Sequence, residues 1–147
     1  MLKWYLHVLG HKWLVLLYIL KFCIKLIRRG IIHDLSKFTN AEAKLFVKVR
    51  PKLKASTYGN QDYQDLLEQL KPALEHHYKN RHHPEAHEMG INGMNFIDLL
   101  EMWFDWNAAT KKHVTGDIWR SISVNKERFY IGEQLEDIMR NSVGSIR

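Results

Sequence analysis

The stretch "NFIDLLEMWFDWNAATKKH", Asn95 to His113, decides the fold class. On a helical wheel at about 100° per residue, Phe96, Ile97, Leu99, Leu100, Met102, Trp103, Phe104 and Trp106 spread over most of the circumference. Asp98, Glu101 and Asp105 fall in one narrow stripe, and Ala108 and Ala109 extend or border it. A helix that is apolar over most of its surface sits centrally in a fold. Its one acidic stripe then faces either water or a buried cation, and small alanines beside it leave room for a ligand. Asn95, with Asp98, is placed to cap the helix from Phe96 to about His113.

The same apolar spacing recurs almost everywhere in the chain, and no run of period-two alternation interrupts it. The sequence therefore predicts an all-α fold of about five or six helices. At 147 residues it predicts a single domain spanning 1–147. A first helix is expected from about residue 2 to 29, ending near Gly30, with a turn or short helix from Ile31 to Phe38. Thr39-Asn40-Ala41-Glu42 reads as a capping box, and the helix it opens should end before Pro51. A loop is expected over Lys52 to Asn60. A helical region over 61 to 80 follows, kinked or divided by Pro72. Asn80 to Asn95 should be largely irregular. Gly116 should break the chain, Asn125 to Asn141 should form the last helix, and the final six residues should fray. Ile131 to Met139 suits a core or a dimer surface equally, so the oligomeric state stays open.

The eight apolar residues Trp13 to Leu20 raise the question of a membrane segment. Lys21, Lys25, Arg28 and Arg29 interrupt the run before the ~20 residues a span requires. A core helix is the expectation, with no membrane partner. The single Cys23 excludes an internal disulfide and fits a reducing, cytoplasmic setting. The net charge of +6, from 22 basic and 16 acidic residues, favours an anionic partner.

Nine histidines are the compositional anomaly, and eight fall within residues 7–33 and 76–87. His7 and His11 share a helix face. His33 and Asp34 follow an apolar run, and an adjacent pair of this kind reaches one ion only at a helix end or turn. In "HHYKNRHHPEAHE", His76 to Glu88, adjacent His76 and His77 should face different ways. His83 precedes Pro84 and is biased to extended backbone. Imidazole nitrogen with carboxylate oxygen, and no thiolate, suits Mn, Fe, Co, Ni or Zn as a divalent cofactor.

The segments "GHKWLVL", "HDLSKFTNAE", "HHYKNRHHPE" and "LLEMWFDWNAAT", in that order, resemble an uncharacterised bacterial and phage family of HD-like proteins. That family lies within or near the HD superfamily of metal-dependent phosphohydrolases. The likeness covers residues 10 to 110 and implies an HD-domain-like helical fold. It implies His11, His33, Asp34 and Asp105 as a mononuclear ligand set. "HDLSK" also looks like the HDxGK motif of two-metal phosphodiesterases, with Ser36 in place of the Gly, and His77, His82 and His83 then fill the middle places. One ion or two both remain open.

The function expected on this basis is a metal-dependent phosphohydrolase acting on a small phosphorylated compound, a nucleotide or phosphodiester. Lys37 and His82 or His83 would stabilise developing phosphoryl charge, and Glu101 would orient a ligand or bind a second ion. The rival expectation is a non-catalytic basic module that binds nucleic acid or a protein partner. No recognition motif for nucleic acid stands out, and most aromatic residues sit at core-like positions.

Overall fold

A computed structural model describes residues 1–55, 61–112 and 116–146 of the chain. The fold is all-α: among the described residues there are six α-helices and no strand. They are α1 (Leu2–Ile32), α2 (Asn40–Ala55), α3 (Gln61–His77), α4 (Phe96–Lys111), α5 (Ile118–Phe129) and α6 (Glu133–Ser142). Short 3₁₀ turns occupy Leu35–Phe38, Pro84–Ala86, Gly90–Gly93 and Val143–Ile146. Packing divides the chain into two units, Met1–His33 and Asp34–Arg147.

The first unit is α1 alone. It runs three residues past the expected end at 29, through Gly30, and its C-cap is His33 in extended geometry. It was expected to be a core helix, yet it contributes no buried residue. No helix among the described residues is long and apolar enough to cross a membrane.

Among its described residues the second unit holds two apolar clusters. In one, α2 and α3 pack along each other, with Val49, Leu70 and Ala73 buried. Pro51 and Pro72 both lie inside these helices. Neither stops its helix, contrary to the expectation for Pro51. An interior proline forfeits one i→i−4 bond at a cost of about 3 kcal/mol, and packing of α2 on α3 offsets it. The end of α3 is His77 rather than residue 80. Residues 56–60, most of the expected 52–60 loop, and His113 lie outside the described residues.

The other cluster joins Ile91, Met102, Trp103, Ile122, Ile131, Met139 and Val143. Asn95 caps α4 as expected, its Oδ1 accepting from the N–H groups of Ile97 and Asp98. The single last helix expected over 125–141 is instead two. Asp117 caps α5 by accepting from Trp119 N–H. Tyr130 then turns left-handed (φ 53°), Ile131 N–H donates to the Lys126 carbonyl, and Gly132 opens α6. The break lets Ile131 and Met139 reach the core together. The C-terminus does not simply fray, because Val143 is buried in the same cluster.

Candidate metal centre

Three segments of the second unit meet at one place: the turn at Asp34, the C-terminal end of α3, and the loop that follows it. Asp34 adopts the left-handed region (φ 58°, ψ 15°), which Asp tolerates better than most residues. The 3₁₀ turn Leu35–Phe38 starts immediately after it. Lys37 Nζ donates to Asp34 Oδ2 at 2.5 Å, which leaves Oδ1 facing the histidines. Asp34 Oδ1 lies 3.5 Å from His77 Nε2 and 3.7 Å from His82 Nε2.

His77 is the last residue of α3, and its Nε2 lies 2.9 Å from His83 Nε2. His82 and His83 follow the sharp turn at Asn80. That turn is pinned by Asn80 Nδ2, which donates to the His77 carbonyl and to Ser36 Oγ, both at 2.8 Å. Ser36 thus ties the Asp34 turn to the end of α3. His83 is extended (φ −100°, ψ 133°), as a residue before proline should be. Ligand atoms of His77, His82 and His83 all lie within 4.8 Å of one another.

Behind these imidazoles stand buried carboxylates. Glu42 is fully buried, with Oε1 2.7 Å from His76 Nδ1 and Oε2 3.1 Å from His77 Nδ1. Glu101 is buried on α4, with Oε1 3.4 Å from His82 Nδ1. A carboxylate beside Nδ1 favours the N–H on that nitrogen, which leaves the Nε2 lone pair to accept or ligate. Nε2 of both His77 and His82 faces Asp34 Oδ1, while Ser36 Oγ and Asn80 Nδ2 also lie 3.3 Å from His77 Nδ1. Asp105, part-buried on the same helix, attracts the proton of His83 electrostatically, as does Asp34.

The expected capping box does not form. Thr39 Oγ1 donates to the Ser36 carbonyl, and Glu42 turns to the histidines. Adjacent His76 and His77 face different ways as expected: His77 is buried against His82 and His83, while His76 is partly exposed, and each approaches a different oxygen of Glu42. The acidic stripe of α4 faces inward at Asp98 and Glu101. Asp98 serves as a structural anchor, accepting from Asn95 Nδ2 at 2.7 Å and Arg81 at 2.9 Å. Glu42 was missed as a site residue. Its signal was present: it is the one acid of α2, and it lies seven residues, two helical turns, before buried Val49.

Burial and the neighbouring imidazoles of His82 and His77 push His83 down to about 3. Burial and the Lys37 charge lower His77, against the pull of Asp34 and Glu42. Both imidazoles are therefore neutral at pH 7, the form that binds metal. Two nitrogens each ~2.1 Å from one ion lie roughly 3 to 3.4 Å apart. The 2.9 Å between His77 and His83 and the 3.5 Å to Asp34 suit that spacing. The donor set is nitrogen and carboxylate oxygen, so the residues fit a divalent transition metal.

His11 lies exposed on α1, in the first unit, and His33 ends that unit directly before Asp34 in the chain.

The model of DUF5662, a family of unknown function, matches residues 2–146. The chain belongs to this family. The match spans both units, so α1 is as much a part of a DUF5662 protein as the histidine cluster. No curated protein and no solved structure matches the chain.

Proposed function

We propose that the protein is a metal-dependent phosphohydrolase acting on a small phosphorylated compound, a nucleotide or phosphodiester. The observation that carries this reading is the convergence of His77, His82 and His83 on Asp34, with Glu42 and Glu101 behind two of the rings. His77, His82, His83 and Asp34 would hold the ion, and Asp105 and His33 are the further ligands to test. A bound divalent ion would polarise a phosphoryl oxygen and bring a water's pKa down towards about 7.

The chain's own residues supply the rest. Lys37, half-exposed and paired with Asp34, stands at the rim as a cation for phosphoryl oxygens. Glu42 and Glu101, behind the His77 and His82 rings, would favour one ring orientation and so reduce reorganisation as charge develops. A cavity of about 630 Å³ begins at Pro84 and His87, in the loop that carries His83. Arg128, Phe129 and Tyr130 line it, and none of His77, His82, His83 and Asp34 does.

The test is to measure bound metal in the purified protein and screen nucleotides and a generic phosphodiester with added Mn²⁺, Co²⁺ or Ni²⁺. Turnover that Asp34→Ala abolishes together with metal supports the proposal. Metal without turnover on any phosphate ester refutes the enzymatic reading and leaves a structural ion.

A further inference from the structure

The helix α1 has a composition that the proposed hydrolysis does not use. Between Leu2 and Ile32 there is no Asp or Glu, while Lys3, Lys12, Lys21, Lys25, Arg28 and Arg29 are all basic. On a wheel at about 100° per residue, every one of these except Lys12 falls within about 100° of arc. His7 and His11 lie in the same arc. Nearly all the remaining circumference is aliphatic or aromatic, and it is open. Trp4, Leu9, Trp13, Ile24 and Ile27 are each more than half exposed. A helix of 31 residues is about 46 Å long. An apolar face of that length exceeds the few hundred Å² that soluble monomers usually show.

Three occupants differ in what they satisfy. A second copy of α1 would bury apolar area, but it brings the same basic stripe and no acid to pair with it. Nucleic acid would neutralise the stripe and leave Trp13 and the isoleucines in water. An anionic lipid surface answers both faces at once, with headgroup phosphates for the lysines and the acyl boundary for the apolar arc. Trp4, Tyr5 and Trp13 are the residue types that settle at that boundary. Lys21, Lys25, Arg28 and Arg29 interrupt a spanning run, whereas lying in the interface requires only a basic amphipathic helix.

We infer that α1 is an interfacial anchor that docks the protein on an anionic membrane surface. The experiment uses the full chain with vesicles of phosphatidylcholine alone or mixed with phosphatidylglycerol. Co-sedimentation with the mixed vesicles only, a blue shift of tryptophan emission, and weakening at roughly 0.5 M salt are expected. Lys21→Glu with Lys25→Glu and Arg28→Glu should lower partitioning by on the order of 100-fold. If that variant loses helix content by circular dichroism, the three Lys/Arg→Gln changes replace it, with a smaller loss in the same direction. The inference is overturned by absence of binding to the mixed vesicles, or by equal binding to both vesicle types. A salt-insensitive dimer that does not partition, or a duplex DNA shift without vesicle binding, overturns it as well. None of these readouts depends on phosphate hydrolysis.

Discussion

Glu42 Oε2 lies 3.1 Å from His77 Nδ1, and the contact joins the start of α2 to the end of α3. The buried carboxylate thus stands behind the His77 ring, whose Nε2 faces Asp34 and His83. Since Glu42 also holds His76 at 2.7 Å through Oε1, it fixes the last turn of α3 at two adjacent rings. A carboxylate this deeply buried is costly, and the Oε1 hydrogen bond to His76 with the 3.1 Å approach of Oε2 to His77 offsets part of that cost.

Removing that support should weaken metal binding without deleting a ligand. Glu42→Gln is expected to lower metal affinity by about 10- to 100-fold. Glu101→Gln should do the same through His82. Chelator competition against wild type checks both, and an unchanged affinity in either variant would show that its ring needs no such support.

Asp34 permits a cleaner separation of strain from ligation. Asn tolerates the left-handed backbone at φ 58° as readily as Asp does. Asp34→Asn should therefore keep the thermal midpoint of the metal-free protein within a few degrees of wild type. It should nevertheless lose bound metal, measured by elemental analysis after dialysis. Retained stoichiometry would remove Asp34 from the coordination sphere.

The metal-free protein should lose stability in acid through its histidines. His83 is pushed down to about 3 and His77 is lowered, so the folded state resists protons that the unfolded chain accepts below about 6.5. Stability should be flat with respect to these groups above that value and should fall as pH drops from 6.5 towards 3. Urea midpoints across this window check the slope. In a His77→Gln, His83→Gln variant the slope should be shallower.

Membership of the shell is testable residue by residue. His83→Ala and Asp105→Ala are expected to reduce bound metal. His33→Ala and His11→Ala decide whether the first unit contributes ligands. Metal content per chain is the measurement, with circular dichroism to verify folding.

Ile122 provides a control for stability alone. It is fully buried in the apolar cluster of α4, α5 and α6. Ile122→Ala should cost about 2 to 5 kcal/mol in urea unfolding. Metal affinity per folded molecule should hold, since the residue lies outside the histidine cluster.

Much of this was legible along the chain because it depends on local period and local chemistry. Apolar residues at helical spacing gave the all-α class, Asn95 gave the start of α4, and the residue before Pro84 gave the extended His83. The density of histidines pointed to a cluster; ligand atoms of His77, His82 and His83 lie within 4.8 Å of one another, and Asp34 Oδ1 lies 3.5 Å and 3.7 Å from His77 and His82. Local patterns failed where two options have similar local energy. Thr39 to Glu42 fits a capping box, but two distant imidazoles compete for the same carboxylate and win. Residues 125–141 read as one helix, but burying Ile131 with Met139 favours a left-handed break at Tyr130. The apolar composition of α1 suggests a core, although nothing in a periodicity specifies what covers it.

By itself, then, the sequence determined the all-α class and the inventory of donor atoms, since both follow from residue type and near-neighbour spacing. Only the tertiary structure decided which donors share a point in space. His77 and Asp34 are separated by more than forty residues. Their approach depends on α2 packing against α3, with Glu42 and the Ser36–Asn80 contact fixing the final geometry. Such long-range packing is a property of complementary surfaces, and no local stretch of sequence encodes it.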